Sequence, residues 1–158
     1  MEVELPQTVV EAERPRPSPT LRAIVRFSLL SIFVLLAVFA FNFQTVIVAG
    51  NSMLPTLRDR ERLLVCKALW LVGPPRESDI VVVRTGTTEE FIVKRVIGVA
   101  GTIVPAMLAP MGWNVGQGDY RVPEGKVYIV GDNLDGSEDS RTFGPVLVSD
   151  VLGKVVRY

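Results

Sequence analysis

From Phe27 to Leu57 the chain carries no charged side chain, and Phe27–Phe43 (FSLLSIFVLLAVFAFNF) is apolar almost throughout. A globular helix of that length turns a polar face to water, and this run has none. A bilayer core of ~30 Å takes about 20 helical residues, and a helix over 25–45 supplies them. A buried core helix is the first alternative, and the missing polar face speaks against it. A cleaved secretory signal is the second. It has the basic flank, but the run is long and no A-x-A site follows. Arg14, Arg16, Arg22 and Arg26 precede the run, which places the N-terminus in the cytoplasm. Residues 1–24, with Pro15, Pro17 and Pro19, read as a mobile cytoplasmic tail. Residues 46–158 are then an extracytoplasmic domain.

That domain is expected to be mainly β. Short runs rich in branched residues, Arg62–Cys66, Ile80–Arg84, Glu90–Val99, Lys126–Val130 and Val151–Val156, are separated by Gly, Pro and Asp turns. Without helical spacers they favour a small barrel or sheet over a parallel α/β fold. Leu69–Val72 is open between helix and strand. Segment 103–118 (IVPAMLAPMGWNVGQG) offers Met107, Leu108, Met111 and Trp113 either to the outer leaflet or to a satellite core.

Composition narrows the chemistry. The chain has 158 residues, 17 basic and 17 acidic, so it lacks the basic excess of a nucleic-acid binder. One cysteine excludes an internal disulfide framework. There is no histidine, which removes Ser-His-Asp and Cys-His catalysis and every His-ligated metal site. Proton chemistry must use Lys, Asp, Glu, Tyr or Cys, and the only lysines are Lys67, Lys94, Lys126 and Lys154.

Three segments are candidates for a site. In VIVAGNSMLPTL (46–57), Gly50 permits a bend and Pro55 fixes the chain, so Ser52 stands on a corner. Alone, it is also an ordinary turn serine. In FIVKRVIGVAGT (91–102), alternation puts Ile92, Lys94 and Val96 on one face of a strand and Val93 and Arg95 on the other. Burial among aliphatics lowers a lysine pKa and makes a neutral amine available as a base. A lysine that snorkels to water fits the same pattern. Arg95 is expected to remain solvated. In GDNLDGSEDSR (131–141) the acids suggest a calcium loop, but the EF-hand spacing fails, leaving a polar surface turn as the alternative.

The three segments, in this order behind a membrane anchor, resemble the type I signal peptidases, membrane-bound Ser-Lys proteases that remove signal peptides from exported proteins. The resemblance runs from about Val46 to the C-terminus and includes RESDIVVVR (76–84), VPEGKVYIVGDN (122–133) and FGPVLVSDVLGKVV (143–156). It implies Ser52 as nucleophile, Lys94 as general base and Ser137 as the serine that orients the lysine amine. Asp139 and Arg141 match a pair that holds the region in shape, and Asp132 and Asn133 match structural positions. Met53, with Gly50 and Asn51, belongs to the substrate pocket and oxyanion region. Some members have a hydroxyl residue at the position of Gly50, so the oxyanion hole here relies on main-chain donors, with the Ser52 N–H as one. The resemblance further implies preprotein signal peptides as substrates, membrane lipid as a neighbour, work near the export channel, no nucleic acid and no metal or other cofactor. Two other readings stay open: a dedicated Ser-Lys maturation peptidase for one pilus or conjugation substrate, and a non-catalytic, membrane-tethered peptide-binding protein.

Overall fold

The computed structural model describes residues 19–85 and 91–157. These form two compact units that divide between Val38 and Phe39. The first is most of helix α1 (Pro19–Asn42), none of whose residues is buried. Its 24 residues reach ~36 Å at 1.5 Å per residue, enough to cross a bilayer core. The helix starts before the expected residue 25 and stops before 45. Pro19 suits the first helical position, and Leu21-Arg22-Ala23 propagate from it. Residues 1–18 of the expected tail lie outside the described residues.

The other end is set by the sheet. Strand β1 (Phe43–Ile47) takes over directly from the helix and pairs antiparallel with β2 (Arg62–Cys66), Phe43 opposite Cys66 and Ile47 opposite Arg62. Gln44, Thr45 and Val46 therefore belong to a strand, where Thr and Val are at home. A short helix α2 (Leu69–Val72) follows, then β3 (Ile80–Arg84) and the long β4 (Phe91–Val99). A small ribbon of β5 (Ile103–Val104) and β6 (Tyr120–Arg121) precedes β7 (Lys126–Val130). Helix α3 (Ser140–Phe143), β8 (Val146–Leu147) and β9 (Val151–Arg157) complete the chain. The main sheet has the order β1-β2-β9-β3-β4-β7-β8, with antiparallel neighbours throughout.

The alternation expected in β4 holds. Val93 packs in a core with Met53, Leu57, Leu63 and Val82, whereas Ile92 and Val96 pack in a second core with Val81, Val127 and Ile129. β4 is paired along its whole first half with β3, but β7 joins it only from Arg95 onward. The edge of Phe91–Lys94 away from β3 is thus not covered by β7. β1 is the terminal strand of the sheet. Three strands separate β1 from β4, yet residues 46–49 and 91–94 line one cleft of about 110 Å³. The sheet must curl for its edges to meet in this way, which makes the domain a half-barrel.

Segment 103–118 divides its residues. Leu108 packs on a third core with Val104, Tyr120 and Tyr128, and Trp113 stands edge-on to Tyr120 at 5.0 Å. Met107 and Met111 are exposed.

Candidate active site

The loop between β1 and β2 is fixed before it reaches the serine. Val48 N–H donates to the Glu61 carbonyl at 2.9 Å, and Arg60 N–H donates to the Val48 carbonyl at 2.9 Å. Gly50 has φ +89°, a conformation that favours glycine. Its N–H donates to Asp59 Oδ1 at 2.9 Å. Met53 and Leu57 are buried beyond the bend, and Leu57 N–H closes a turn on the Met53 carbonyl at 2.9 Å. Ser52 is therefore held on a short corner between two anchored points.

A second segment grips that corner from the other side. After β7, Asn133 N–H donates to the Ser52 carbonyl at 3.0 Å, and Asn133 Nδ2 donates to the Asn51 carbonyl at 3.1 Å. Gly131 makes this approach possible. A Cβ there would lie 2.5 Å from the Ser52 carbonyl oxygen and would collide with Ser137. Ser52 and Ser137 thus crowd the same side of one glycine.

Lys94 enters from β4. It is only 4% exposed, and its Nζ donates to Ser52 Oγ at 2.8 Å. Burial lowers its pKa below the ordinary 10.5. The negative charges of Asp139 and Glu138 oppose that shift but do not cancel it. A buried amine in contact with a serine hydroxyl and biased toward its neutral form can take that hydroxyl's proton.

The neighbouring charges hold the walls of the site. Asp139 is fully buried and caps α3. It accepts from Gly131 N–H at 3.0 Å, from Arg141 N–H at 3.1 Å, and from Arg141 Nε and Nη2 at 2.9 Å each. Burial alone would raise its pKa, but the Arg141 and Gly131 donors outweigh that and leave it below the ordinary value. Arg95 does not stay solvated as expected. Its Nε and Nη2 grip Asp132 at 2.8 and 2.6 Å, and its Nη1 donates to the Ser78 carbonyl at 3.0 Å. An aliphatic neighbourhood on β4 leaves a guanidinium little bulk water, so it takes a carboxylate instead. Asp132 also ends below its ordinary value, because its bonds to Arg95 and Thr56 exceed the opposing effect of burial.

The structure thus brings Ser52, Lys94, Gly50, Asn51, Met53, Asn133 and Ser137 to one corner, with Asp132, Asp139 and Arg141 bracing it. Ser137 Oγ is buried and makes no well-formed hydrogen bond, to Lys94 or otherwise, although it stands near enough to the Asp139 carboxyl to help hold it charged. Lys154 is nearly as buried as Lys94, at 8%. It ion-pairs with Asp79 at 2.7 Å and donates to the Pro74 carbonyl at 3.3 Å, so it has a counter-charge where Lys94 has a hydroxyl. Sequence reasoning missed Gly131, Asp59 and Ser140, whose Oγ accepts from Ile129 N–H at 3.0 Å. A glycine directly after VYIV was the one available sign for Gly131. Asp59 lay hidden in a charged turn, and nothing marked Ser140.

The family of signal peptidases, peptidase S26, matches residues 21–107 and 110–158, a span that includes every residue of this corner. The chain belongs to that family. A signal peptidase I of Bacillus caldolyticus is 33% identical over 143 residues, spanning 73% of this chain and 78% of that one. A mitochondrial inner membrane protease subunit 1 of Xenopus tropicalis is 36% identical over 113 residues, 71% of this chain and 66% of that one. The crystal structure of a signal peptidase I from Enterococcus faecalis superposes with a TM-score of 0.38 at 25% identity, over 52% of this chain and 97% of that one. As a signal peptidase the protein is a serine endopeptidase that cleaves signal peptides, membrane-anchored by one N-terminal helix.

Proposed function

We propose that Ser52 is the nucleophile and Lys94 the general base of this signal peptidase. The 2.8 Å contact between Lys94 Nζ and Ser52 Oγ carries the reading. With the amine neutral, the hydrogen bond reverses and the serine hydroxyl donates into the nitrogen lone pair. Attack on the scissile carbonyl moves that proton to Lys94. The ammonium then protonates the leaving amine, and water, with its proton taken by Lys94, resolves the acyl-enzyme. The Ser52 N–H faces the developing oxyanion. Gly50 N–H is engaged by Asp59 and is not a second donor. The family resemblance gives Ser137 the role of orienting the lysine amine; its hydroxyl is buried beside Gly131 but not bonded to Lys94 in the resting structure, so that contact would have to form during catalysis, and Met53 shapes the pocket wall.

The substrate is an extended preprotein segment. It enters the cleft between residues 46–49 and 91–94, where main-chain groups of strand edges fix its register. The resemblance to the family implies small side chains one and three residues before the cut, and in an extended chain those two point the same way. Arg14 and Arg16 before α1, with Arg22 and Arg26 in its first turns, keep the N-terminus in the cytoplasm and the peptidase domain on the outer side of the plasma membrane, close to lipid and the export channel.

The test is cleavage of a purified preprotein by the full chain. Ser52→Ala and Lys94→Ala should each remove turnover while near-UV circular dichroism stays unchanged. Turnover retained by the folded lysine variant overturns the dyad. A panel of unrelated preproteins separates general processing from a dedicated maturation enzyme, and cleavage of any of them rejects the non-catalytic binder.

A further inference from the structure

Residues 105–113 form two tight turns, each opening on a proline. Leu108 N–H donates to the Pro105 carbonyl at 2.8 Å, and Trp113 N–H donates to the Pro110 carbonyl at 2.9 Å. Leu108 and Ala109 rest on the third core, while the Met111 side chain is exposed. The main chain of this segment reaches further than its side chains. Tyr128 Oη donates to the Leu108 carbonyl at 2.6 Å, and Met111 N–H donates to the Arg141 carbonyl at 2.6 Å. The segment is therefore clasped by β7 at one point and holds α3 at the other.

Both ends of the clasp lead to the site. Tyr128 is wholly buried on β7, three residues before Gly131. Burial first, then Tyr120 and Asp139, raise its phenol pKa above the ordinary 10.0, so the hydroxyl stays a donor near neutral pH. At the far end, the Arg141 guanidinium holds Asp139, and Asp139 accepts from Gly131 N–H. Gly131 is pressed against both Ser137 and the Ser52 carbonyl. Arg141 Nη2 also donates to the Ser137 carbonyl at 3.3 Å. A shift of the Arg141 main chain would thus reach the nucleophile's corner through contacts that leave little slack.

We propose that Tyr128 is a positioning residue of the reaction: its hydroxyl seats residues 108–111 on Arg141, and so fixes the Asp139–Gly131 wall against which Ser52 is set. It acts through Arg141 and Asp139 and not by touching substrate. The inference rests on the reading of Ser52 and Lys94 as the reacting pair.

Tyr128→Phe removes the hydroxyl and keeps the ring in the third core. In the full chain, with a purified preprotein, kcat should fall about fivefold, the worth of one neutral hydrogen bond, while KM stays unchanged. Trp113→Phe is the control. Trp113 stands edge-on to Tyr120, and its Nε1 donates to the Gly118 carbonyl at 3.0 Å, so its bond stays within the ribbon and its loop. That variant should lower the denaturant midpoint and leave kcat at the parent value. A Tyr128 that only stabilised the fold would behave the same way. Parental kcat in Tyr128→Phe, folded by near-UV circular dichroism, therefore overturns the proposal. So does an equal loss of kcat in Trp113→Phe, since general loosening would then suffice, and so does a loss confined to KM. A double-mutant cycle with Asp139→Asn reads the route: coupled losses in kcat support action through Asp139, and additive losses overturn it. Ser52→Ala and Lys94→Ala run in the same assay. Turnover in either rejects the reacting pair, whereas inactive pair variants beside a fully active Tyr128→Phe reject the positioning role alone.

Discussion

Lys94 is one of two nearly buried lysines, and it is the one without a carboxylate in direct contact. Its depressed pKa has two consequences of the same sign. Activity should rise with pH as the amine deprotonates, with the limb lying below the ordinary 10.5 of a free lysine; a rate profile over that range checks it. For stability, the folded pKa is below the unfolded one, so burial of the ammonium costs most below the folded pKa. That cost fades as pH rises from the folded pKa through 10.5. Lys94→Met should therefore be inactive yet at least as stable as the parent near neutral pH, as read by thermal unfolding. Asp59 makes a weaker contribution. Asp59→Ala frees the Gly50 N–H and should lower kcat a few-fold, consistent with a loss of ~1 kcal/mol for one partly exposed hydrogen bond. At this scale sequence spacing was of limited use. Ser52 and Lys94 stand 42 positions apart and meet only because a sheet curls, so the pairing became visible through family resemblance rather than periodicity.

Elements explain why the pair stays in register. β4 carries Lys94, and the turn after β7 carries the Asn133 donors that grip the Ser52 corner. Arg95 joins β4 to that same turn through Asp132. Asp132→Asn should lower stability by ~1–3 kcal/mol, as expected for breaking a partly buried charged hydrogen bond, measured by denaturant unfolding. Gly131→Ala should do more harm to turnover than to folding. The added methyl drives Ser137 and the Ser52 carbonyl apart, overpacking costs ~1–3 kcal/mol, and the nucleophile is the part that moves. Strands β2, β3 and β7 were legible to the residue, since branched aliphatics at period two between Gly, Pro and Asp leave little choice. β1 was not fully legible, because Phe43–Ile47 continues an apolar run and only pairing with β2 tells strand from helix. β5, β6 and β8 are two residues each, too short for any period.

The whole molecule combines an apolar helix with a domain braced by two Arg-Asp pairs. Asp132 and Asp139 both have carboxyls held below the ordinary 3.8, despite burial, by their arginines. A depressed folded pKa means that this support is fully present above 3.8 and is lost as pH falls through the folded values. Acid unfolding should therefore begin below the usual carboxylate range, and Asp139→Asn should bring it to higher pH, as followed by circular dichroism against pH. The anchor should resist alkaline carbonate extraction, and protease added from outside to right-side-out vesicles should reach the domain but not the N-terminus.

One feature of the half-barrel joins these scales. The strand that carries Lys94, the proposed base, is also a strand whose edge not covered by β7 borders the cleft. An extended guest lying along Phe91–Lys94 shuts out whatever water still reaches the amine, so occupancy itself weakens the lysine's hold on its proton. If Lys94 is the base, the resting enzyme should keep it more protonated and the loaded enzyme more neutral. The acid limb of kcat, which reports the loaded form, should accordingly lie at lower pH than the acid limb of kcat/KM, which reports the empty one. An anchored protease that ionises in this order is least reactive when nothing fills its cleft.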